Sequence, residues 1–256
     1  MLLQTLIDRI EEEYPPALAY DWDNVGLLAG SPDREIKKVL VTLDVHSGVA
    51  AEAEKCGADL ILSHHPILMS GTKSVRSDRE TGRMLETLFK NNICVYAAHT
   101  NLDTAKHGIN AYLAELFQLE QTEIIEPNGP DTGLGRIGNL AEPVPLSAFA
   151  QRTKALLKTP GLRFSGDPVR QIRRVAIGSG GCGELIPTAR MMGADVLVTA
   201  DLKYHQCIDA VLDGIAVIDA GHYPTEIVVQ ELFTKLLRPY GLEVVASGNP
   251  DIFQYI

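Results

Sequence analysis

The sequence predicts an α/β fold of two interlocked domains, with related βαβ architecture and mostly parallel sheets. Two observations carry this prediction: short apolar segments alternate with helical stretches, and one strand–helix–strand segment recurs. The apolar segments are continuous rather than alternating, as expected for strands that are buried on both faces of a sheet. They lie at 39–43, 59–63, 93–97, 174–178, 195–199 and 215–219.

Helical patterns lie between and around these segments. Apolar residues from Leu3 to Ile10 recur at helical spacing, which predicts an amphipathic first helix that ends before Pro15. A helical pattern at 222–238 precedes a final strand at 242–247, and that strand could join either sheet. The remaining predicted helices lie at 48–56, 80–91, 184–192 and 204–212.

An internal repeat is visible in the sequence. Residues 37–65 align without gaps on residues 173–201, at an offset of 136 residues. Each copy begins with a basic pair, continues through a strand and a helix, and enters a second strand at a Gly-Ala-Asp triplet. A gap-free match over a whole βαβ unit indicates duplication.

The segment 126–140 is rich in Gly, Pro and Asn, and this composition is typical of a loop between domains. We therefore predict a metal-binding α/β domain formed by residues 1–126 plus 219–256. Residues 127–218 are predicted to form the second α/β domain.

Composition excludes several classes of protein. The chain has 256 residues, a formal net charge of −10, and 45% hydrophobic and 22% charged residues, so it is not a disordered chain. No apolar run approaches a membrane span or a signal sequence, and the four cysteines form no Cys-x-x-Cys pair. We expect a reduced, cytoplasmic protein with no membrane partner. The acidic balance disfavours nucleic acid, although a bound cation would still permit an anionic substrate.

Histidines and carboxylates cluster where predicted strands end. The loops at 63–66 (SHHP), 98–103 (AHTNLD) and 220–226 (AGHYPTE) hold four of the seven histidines. Ligands of open α/β sheets bind just beyond the carboxyl ends of parallel strands. A single histidine is more often structural, but three such loops at one end of the strands indicate a metal site.

Spacing in these loops suggests two metal ions. His64 and His65 cannot both point the same way from a regular strand, whereas His222 and Glu226 share one helix face. With Asp103, these residues make five ligands, too many for one tetrahedral ion with an open position. Imidazole and carboxylate ligands suit zinc, manganese or iron(II), and two such ions would use all five.

The glycine-rich segment 178–183 (GSGGCG) follows a strand and precedes a helix. We interpret it first as a tight turn, second as a phosphate loop centred on Gly180 and Gly181, and third as a dinucleotide site with Asp201 on the ribose. Cys182 at a helix start could have a lowered pKa, but no base is assigned to it. Elsewhere in the sequence, packing accounts for Trp22, and we interpret Asp23 and Asn24 as turn residues.

Six segments spread over the chain are DWDNVGLLAG (21–30), GADLILSHHP (57–66), YAAHTNLDTAKHGIN (96–110), GLGRIG (133–138), GADVLVTADLKYH (193–205) and DAGHYPTE (219–226). Together, in this order, they resemble one known family, the Nif-three-like dinuclear-metal proteins, also called GTP cyclohydrolase 1 type 2 homologues. The resemblance implies a toroidal homohexamer, a trimer of dimers, with two divalent metal ions per subunit. Thr199-Ala200-Asp201 departs from the family's common Thr-Gly-Asp, and the large insertion of some members is absent. The ligands that carry over are His64, His65, Asp103, His222 and Glu226.

The sequence thus favours a metal-dependent hydrolase acting on a nucleotide or another phosphate-bearing small molecule, with GTP ring opening implied by the resemblance. His99 is the candidate for proton transfer. Asp201 and His205 are candidates to support the site from the other half of the chain. The alternative is a noncatalytic protein that stores or delivers metal, or a ring-shaped assembly protein.

Overall fold

The computed structural model describes all residues from Met1 to Ile256. Its helices are α1 (Leu3–Glu13), α2 (Ser47–Cys56), α3 (Glu80–Lys90), α4 (Thr100–Thr104), α5 (Ile109–Leu116), α6 (Leu146–Leu156), α7 (Ile186–Met191), α8 (Tyr204–Leu212), α9 (His222–Glu226) and α10 (Val229–Leu237). Its strands are β1 (Gly26–Ala29), β2 (Lys38–Thr42), β3 (Leu60–Ser63), β4 (Cys94–Ala97), β5 (Glu120–Pro127), β6 (Gly133–Pro145), β7 (Arg163–Ser165), β8 (Gln171–Ile177), β9 (Val196–Thr199), β10 (Ala216–Asp219) and β11 (Glu243–Ala246). None of the helices combines the length and the apolar character that a membrane span requires.

The chain divides into two compact units. The first unit comprises Met1–Leu102 and Ile227–Pro250, and the second comprises Asp103–Glu226 and Asp251–Ile256. These boundaries differ from the predicted domains, which divided the chain at 126/127 and 218/219. Strand pairing explains the difference, because β5 pairs with β6, β6 pairs with β8, and β10 pairs with β9, all within the second unit.

The first unit is built on a five-stranded sheet of order β1-β4-β3-β2-β11. Its central strands are parallel, and only the edge strand β1 is antiparallel. The strand β11, which the sequence could not assign to a sheet, pairs with β2. The helices α2 and α3 cover one face of this sheet through a core that includes Leu40, Val49, Ile61, Leu88 and Val95.

The second unit is built on a six-stranded sheet of order β5-β6-β8-β9-β10-β7. Its centre, β8-β9-β10, is parallel, whereas the hairpin β5–β6 and the edge strand β7 are antiparallel. Its core includes Ala176, Leu185, Ala189, Leu197 and Val217. The predicted α/β class with two related units is confirmed, and the antiparallel strands lie at the sheet edges or in the hairpin.

The segment 126–140 is not a loop between domains. It contains the hairpin turn and the buried first half of β6. The glycine content has a packing cause at Gly133, where φ is +148° and an added Cβ would lie 2.2 Å from the carbonyl oxygen of Glu126. Only glycine permits two backbones to approach each other this closely. When composition alone is considered, a glycine-rich segment of this kind resembles a flexible linker.

The structure reproduces the repeat at the level of strand register. Val39 is paired with Leu60 between β2 and β3, and Val175 is paired with Val196 between β8 and β9. Both residues of the second pair lie 136 positions after those of the first. The two βαβ units therefore share the offset that the sequence alignment gave.

One carboxylate performs the same task in both copies of the repeat. Asp59 accepts hydrogen bonds from the backbone N–H groups of Lys37 and Lys38, at 2.8 and 3.0 Å. Asp195 accepts from the N–H groups of Arg173 and its successor, at 2.9 and 2.8 Å. The Asp of the Gly-Ala-Asp triplet thus secures the start of the preceding strand in each unit.

The predicted helix at 222–238 is interrupted. It ends as α9 at Glu226 and starts again as α10 at Val229. The chain passes from the second unit to the first between Glu226 and Ile227, so the break coincides with this crossing.

Candidate metal centre

Three imidazoles lie together at the carboxyl ends of β3 and β4 in the first unit. The candidate ligand nitrogens of His64, His65 and His99 all lie within 4.8 Å of one another. The ring of His64 is 5.1 Å, centroid to centroid, from each of the other two rings, and those two are 5.5 Å apart. His64 is fully buried, and the other two are partly exposed. We call these residues the histidine group.

Each ring of the histidine group holds its Nδ1 against an oxygen atom. This contact fixes the tautomer with hydrogen on Nδ1 and leaves the lone pair on Nε2, which is the arrangement that metal-bound histidines usually show. The Nδ1 distances are 2.8 Å from His64 to the carbonyl oxygen of Ala98, 2.7 Å from His65 to Oδ1 of Asp44, and 2.8 Å from His99 to Oδ1 of Asp23.

Asp23 also fixes the start of α4. Its buried carboxylate accepts hydrogen bonds from the backbone N–H and the hydroxyl of Thr100, at 3.0 and 2.5 Å. Burial alone would raise the pKa of Asp23, but hydrogen bonds from His99 and Thr100 outweigh it and hold this pKa well below its usual value. The carboxylate therefore stays charged and available to orient His99.

The second unit carries an imidazole and two nearly buried carboxylates. On α9, Nε2 of His222 lies 2.8 Å from Oε2 of Glu226, as the i, i+4 spacing predicts. On the opposite side of the ring, Nδ1 lies 2.7 Å from Oδ2 of Asp201. Asp103 accepts a hydrogen bond from the hydroxyl of Ser179 at 3.2 Å. The second unit thus repeats the carboxylate–imidazole pairing of the first.

The glycine-rich segment packs against these ligands. Gly180 has a φ of +59°, and an added Cβ would lie 2.1 Å from Oε1 of Glu226 and 3.1 Å from Nε2 of His222. Its N–H donates to the hydroxyl of Thr225 at 3.0 Å. The N–H of Ser179 donates to Oδ1 of Asn110 at 2.9 Å. These two donors are already used inside the protein, as in the tight turn that the sequence ranked first.

The sequence also singled out Gly181, His205 and Cys182 in the second unit, and these three residues have different surroundings. An added Cβ at Gly181 would lie 3.3 Å from Oδ2 of Asp201, so this backbone borders the carboxylate that holds His222. His205 is exposed on α8, where its ring lies 5.5 Å from that of Tyr204. Burial, followed by the charge of Asp103, raises the pKa of the Cys182 thiol well above its usual value, which is opposite to the suggested lowering.

Two carboxylates that contact rings of the histidine group escaped the sequence reasoning. Asp44 follows β2 and was detectable in principle, because it lies at the carboxyl end of a predicted strand like the chosen residues. Asp23 precedes β1 and gave no such signal, since turn chemistry explained it equally well. Packing does not explain Trp22, which is 60% exposed.

Fold and donor groups together define an α/β protein with imidazole and carboxylate clusters suited to divalent metal ions. The model of the Duf34/NIF3 (NGG1p interacting factor 3) family matches residues 1–251. The chain therefore belongs to this family, as the sequence motifs indicated.

Relatives and solved structures agree with this assignment. A protein of Clostridium perfringens named GTP cyclohydrolase 1 type 2 homolog is 33% identical over 262 residues and covers 100% of both chains. A homolog of the same name from Streptomyces coelicolor is 35% identical over 231 residues, covering 88% of this chain and 81% of its own. The crystal structure of a Bacillus cereus protein related to NIF3 superposes with a TM-score of 0.94 at 26% identity, over 100% of this chain and 99% of that one.

Proposed function

We propose that this protein is a metal-dependent hydrolase that acts on a nucleotide or another phosphate-bearing small molecule. Two divalent ions per subunit, of zinc, manganese or iron, would be held by His64, His65, Asp103, His222 and Glu226. The observation that carries the proposal is the pairing of His65, His99 and His222 with carboxylates at Nδ1.

The donor chemistry fits such ions. Imidazole nitrogens and carboxylate oxygens are the common ligands of zinc, manganese and iron(II). A carboxylate on Nδ1 raises the basicity of the opposite nitrogen and fixes the orientation of the ring. Asp44 and Asp201 would serve the ligands His65 and His222 in this way.

Bound divalent ions lower the pKa of coordinated water and orient an electrophile. The chain itself would supply the proton transfer. Asp23 accepts the Nδ1 hydrogen of His99, which leaves Nε2 of that ring as the proton acceptor on the side of the histidine group. The hydrogen bonds that lower the pKa of Asp23 keep its carboxylate charged beside His99, so that it can hold the ring in this orientation.

The names of the relatives make GTP ring opening the first reaction to assay. Metal-loaded protein should be incubated with GTP and a panel of phosphoesters, beside the variants His65→Ala, Glu226→Ala and His99→Ala. We expect turnover that all three variants abolish, with the metal retained in His99→Ala alone. His205→Ala, on the exposed face of α8, is the matched control and should keep its activity.

Turnover unchanged in His65→Ala and Glu226→Ala would contradict the hydrolase proposal. Tightly bound, exchangeable metal with no turnover on any substrate would also contradict it, and would favour the alternative of a metal-storage or metal-delivery protein.

We further propose a homohexamer, a trimer of dimers, as the sequence resemblance implies. Light scattering during size-exclusion chromatography should then give about six times the chain mass of 27.9 kDa. A monomer at micromolar concentration would contradict this part of the proposal.

A further inference from the structure

The only tryptophan of the chain lies on the surface beside the histidine group. Trp22 is 60% exposed and stacks on Tyr20, which is 37% exposed, with ring centroids 5.8 Å apart and planes inclined by 16°. Trp22 also meets His99 edge to face, with centroids 6.0 Å apart and planes inclined by 76°. We call Tyr20 and Trp22 the aromatic pair.

The exposure of the aromatic pair is not a sign of a loose loop. The backbone N–H of Tyr20 donates to the hydroxyl of Thr100 at 3.1 Å. The backbone N–H of Asp23 donates to the carbonyl oxygen of Tyr20 at 2.9 Å, which closes the turn. The buried carboxylate of Asp23 then joins this turn to Thr100 and His99. The backbone is held at both ends of the pair, so the indole is presented to solvent by a fixed turn.

Exposed aromatic rings at fixed positions are favourable binding surfaces. Leaving an indole in water forgoes the burial free energy that usually places tryptophan inside a protein. A ligand ring that stacks on it recovers part of that free energy and adds the preference of aromatic faces for offset stacking. Stacking on an exposed aromatic side chain is also how proteins hold nucleobases without reading their sequence.

We propose that the aromatic pair is a stacking platform for a planar heteroaromatic ring, the base of the nucleotide substrate. This inference rests on the proposed function and specifies the substrate class at the same site. A base stacked on Trp22 would lie next to His99, the residue proposed to accept a proton. The platform recognises the ring face, so it accepts purines generally and contributes nothing to binding of phosphate or ribose alone.

The single tryptophan makes direct titration practical. Fluorescence of Trp22, excited selectively over tyrosine and corrected with free tryptophan for absorption by the ligand, should be recorded against guanosine, adenosine, ribose 5-phosphate and tripolyphosphate. We expect saturable quenching by both nucleosides and none by the other two compounds. The readout is independent of turnover and needs no knowledge of the reaction.

Variants separate stacking from general effects. By equilibrium dialysis with labelled guanosine, Trp22→Leu should weaken binding by about 5- to 100-fold, as expected for loss of one base–aromatic stack. Trp22→Phe keeps an aromatic face and should stay within roughly 3-fold of the parent protein. Phe89→Leu is the matched control, because Phe89 on α3 is also 60% exposed. It should bind guanosine as the parent does.

The absence of saturable quenching by either nucleoside would overturn the platform, as would unchanged guanosine affinity in Trp22→Leu. A change of oligomeric state in Trp22→Leu, together with no response to nucleosides, would also overturn it and make the pair an interface between copies. Quenching without turnover on any nucleotide would support the platform while removing the hydrolase. Turnover with an unchanged KM in Trp22→Leu would remove the platform while keeping the hydrolase.

Discussion

At the scale of single residues, the side chains that hold the histidines matter as much as the histidines themselves. His65 and His222 lie in different units, yet each has an aspartate at 2.7 Å from Nδ1. Both aspartates are substantially exposed, at 46% and 60% of their side-chain surface. Their common feature is the imidazole that they orient.

We therefore expect Asp44→Asn and Asp201→Asn each to weaken metal binding by about 10- to 100-fold while the fold is kept. Competition with a metal chelator, monitored by metal analysis after dialysis, measures this effect. Asp33→Asn, which changes an exposed aspartate of the first unit, is the control. Unaltered affinity in both test variants would mean that the aspartates do not support metal ligands.

Sequence reasoning was most accurate for residues whose chemistry follows from strand ends. It placed the loops of His64, His65 and His99 at one end of the predicted strands, because parallel strands end at the same edge of a sheet, and the three rings do lie together. It could not find Asp23, whose contact with His99 joins positions 76 residues apart through a turn. The exposure of Trp22 could not be predicted from the sequence either, because a large apolar side chain is expected to pack inside the protein.

At the scale of elements, the strands and helices that the sequence predicted are those with continuous apolar patterns. The hairpin β5–β6 was missed because glycine and proline in β6 serve close packing and a bend, rather than a linker. The helix α2 shows how side chains support an element that propensity alone would not fix. Its first N–H groups are bonded by Nδ1 of His46 and by the carboxylate of Glu80, at the start of α3.

The bond from Glu80 predicts a pH dependence of stability. Hydrogen bonds from Ser47, followed by that from Arg83, lower the pKa of Glu80 to about 2. A carboxyl group whose pKa is lower in the folded than in the unfolded protein stabilises the fold at pH values above its unfolded pKa, near 4.3. This stabilisation is lost as the pH falls toward the pKa of the folded protein. We expect Glu80→Gln to lower the melting temperature by about 1–3 °C at pH 7, because Glu80 is exposed.

The same comparison at pH 3 should give a smaller difference, because the parent protein has then lost part of the contribution. Differential scanning calorimetry of both proteins at the two pH values provides the test. A difference that grows as the pH falls would show that the carboxylate does not stabilise the start of α2.

At the scale of the whole molecule, the chain contains two versions of one βαβ unit, at 37–65 and 173–201, with different residues at their strand ends. The histidine His65 of the first copy corresponds, at the offset of 136, to Asp201 of the second. The two copies share the register and the aspartate that secures the first strand, while their residues at the strand ends differ. The alignment revealed this relation, but the division of the chain depended on strand pairing that composition does not encode.

Because Asp59 and Asp195 accept the same pair of backbone hydrogen bonds in the two copies of the repeat, they should make similar contributions to the free energy of unfolding. Asp59→Ala and Asp195→Ala each remove one carboxylate that accepts two backbone N–H groups, so each should lower the free energy of unfolding by about 1–3 kcal/mol. Urea denaturation of both variants tests this expectation. A loss confined to one of them would show that the two copies no longer share this support.

The central claim is that the chain binds two divalent ions through its histidines and carboxylates. Metal analysis of protein purified without chelator, expressed as ions per chain, tests it most directly. We expect about two ions per chain in the parent protein, with loss in His65→Ala and Glu226→Ala and retention in His205→Ala. No bound metal in the parent, together with none taken up from zinc, manganese or iron(II) solutions, would contradict the claim.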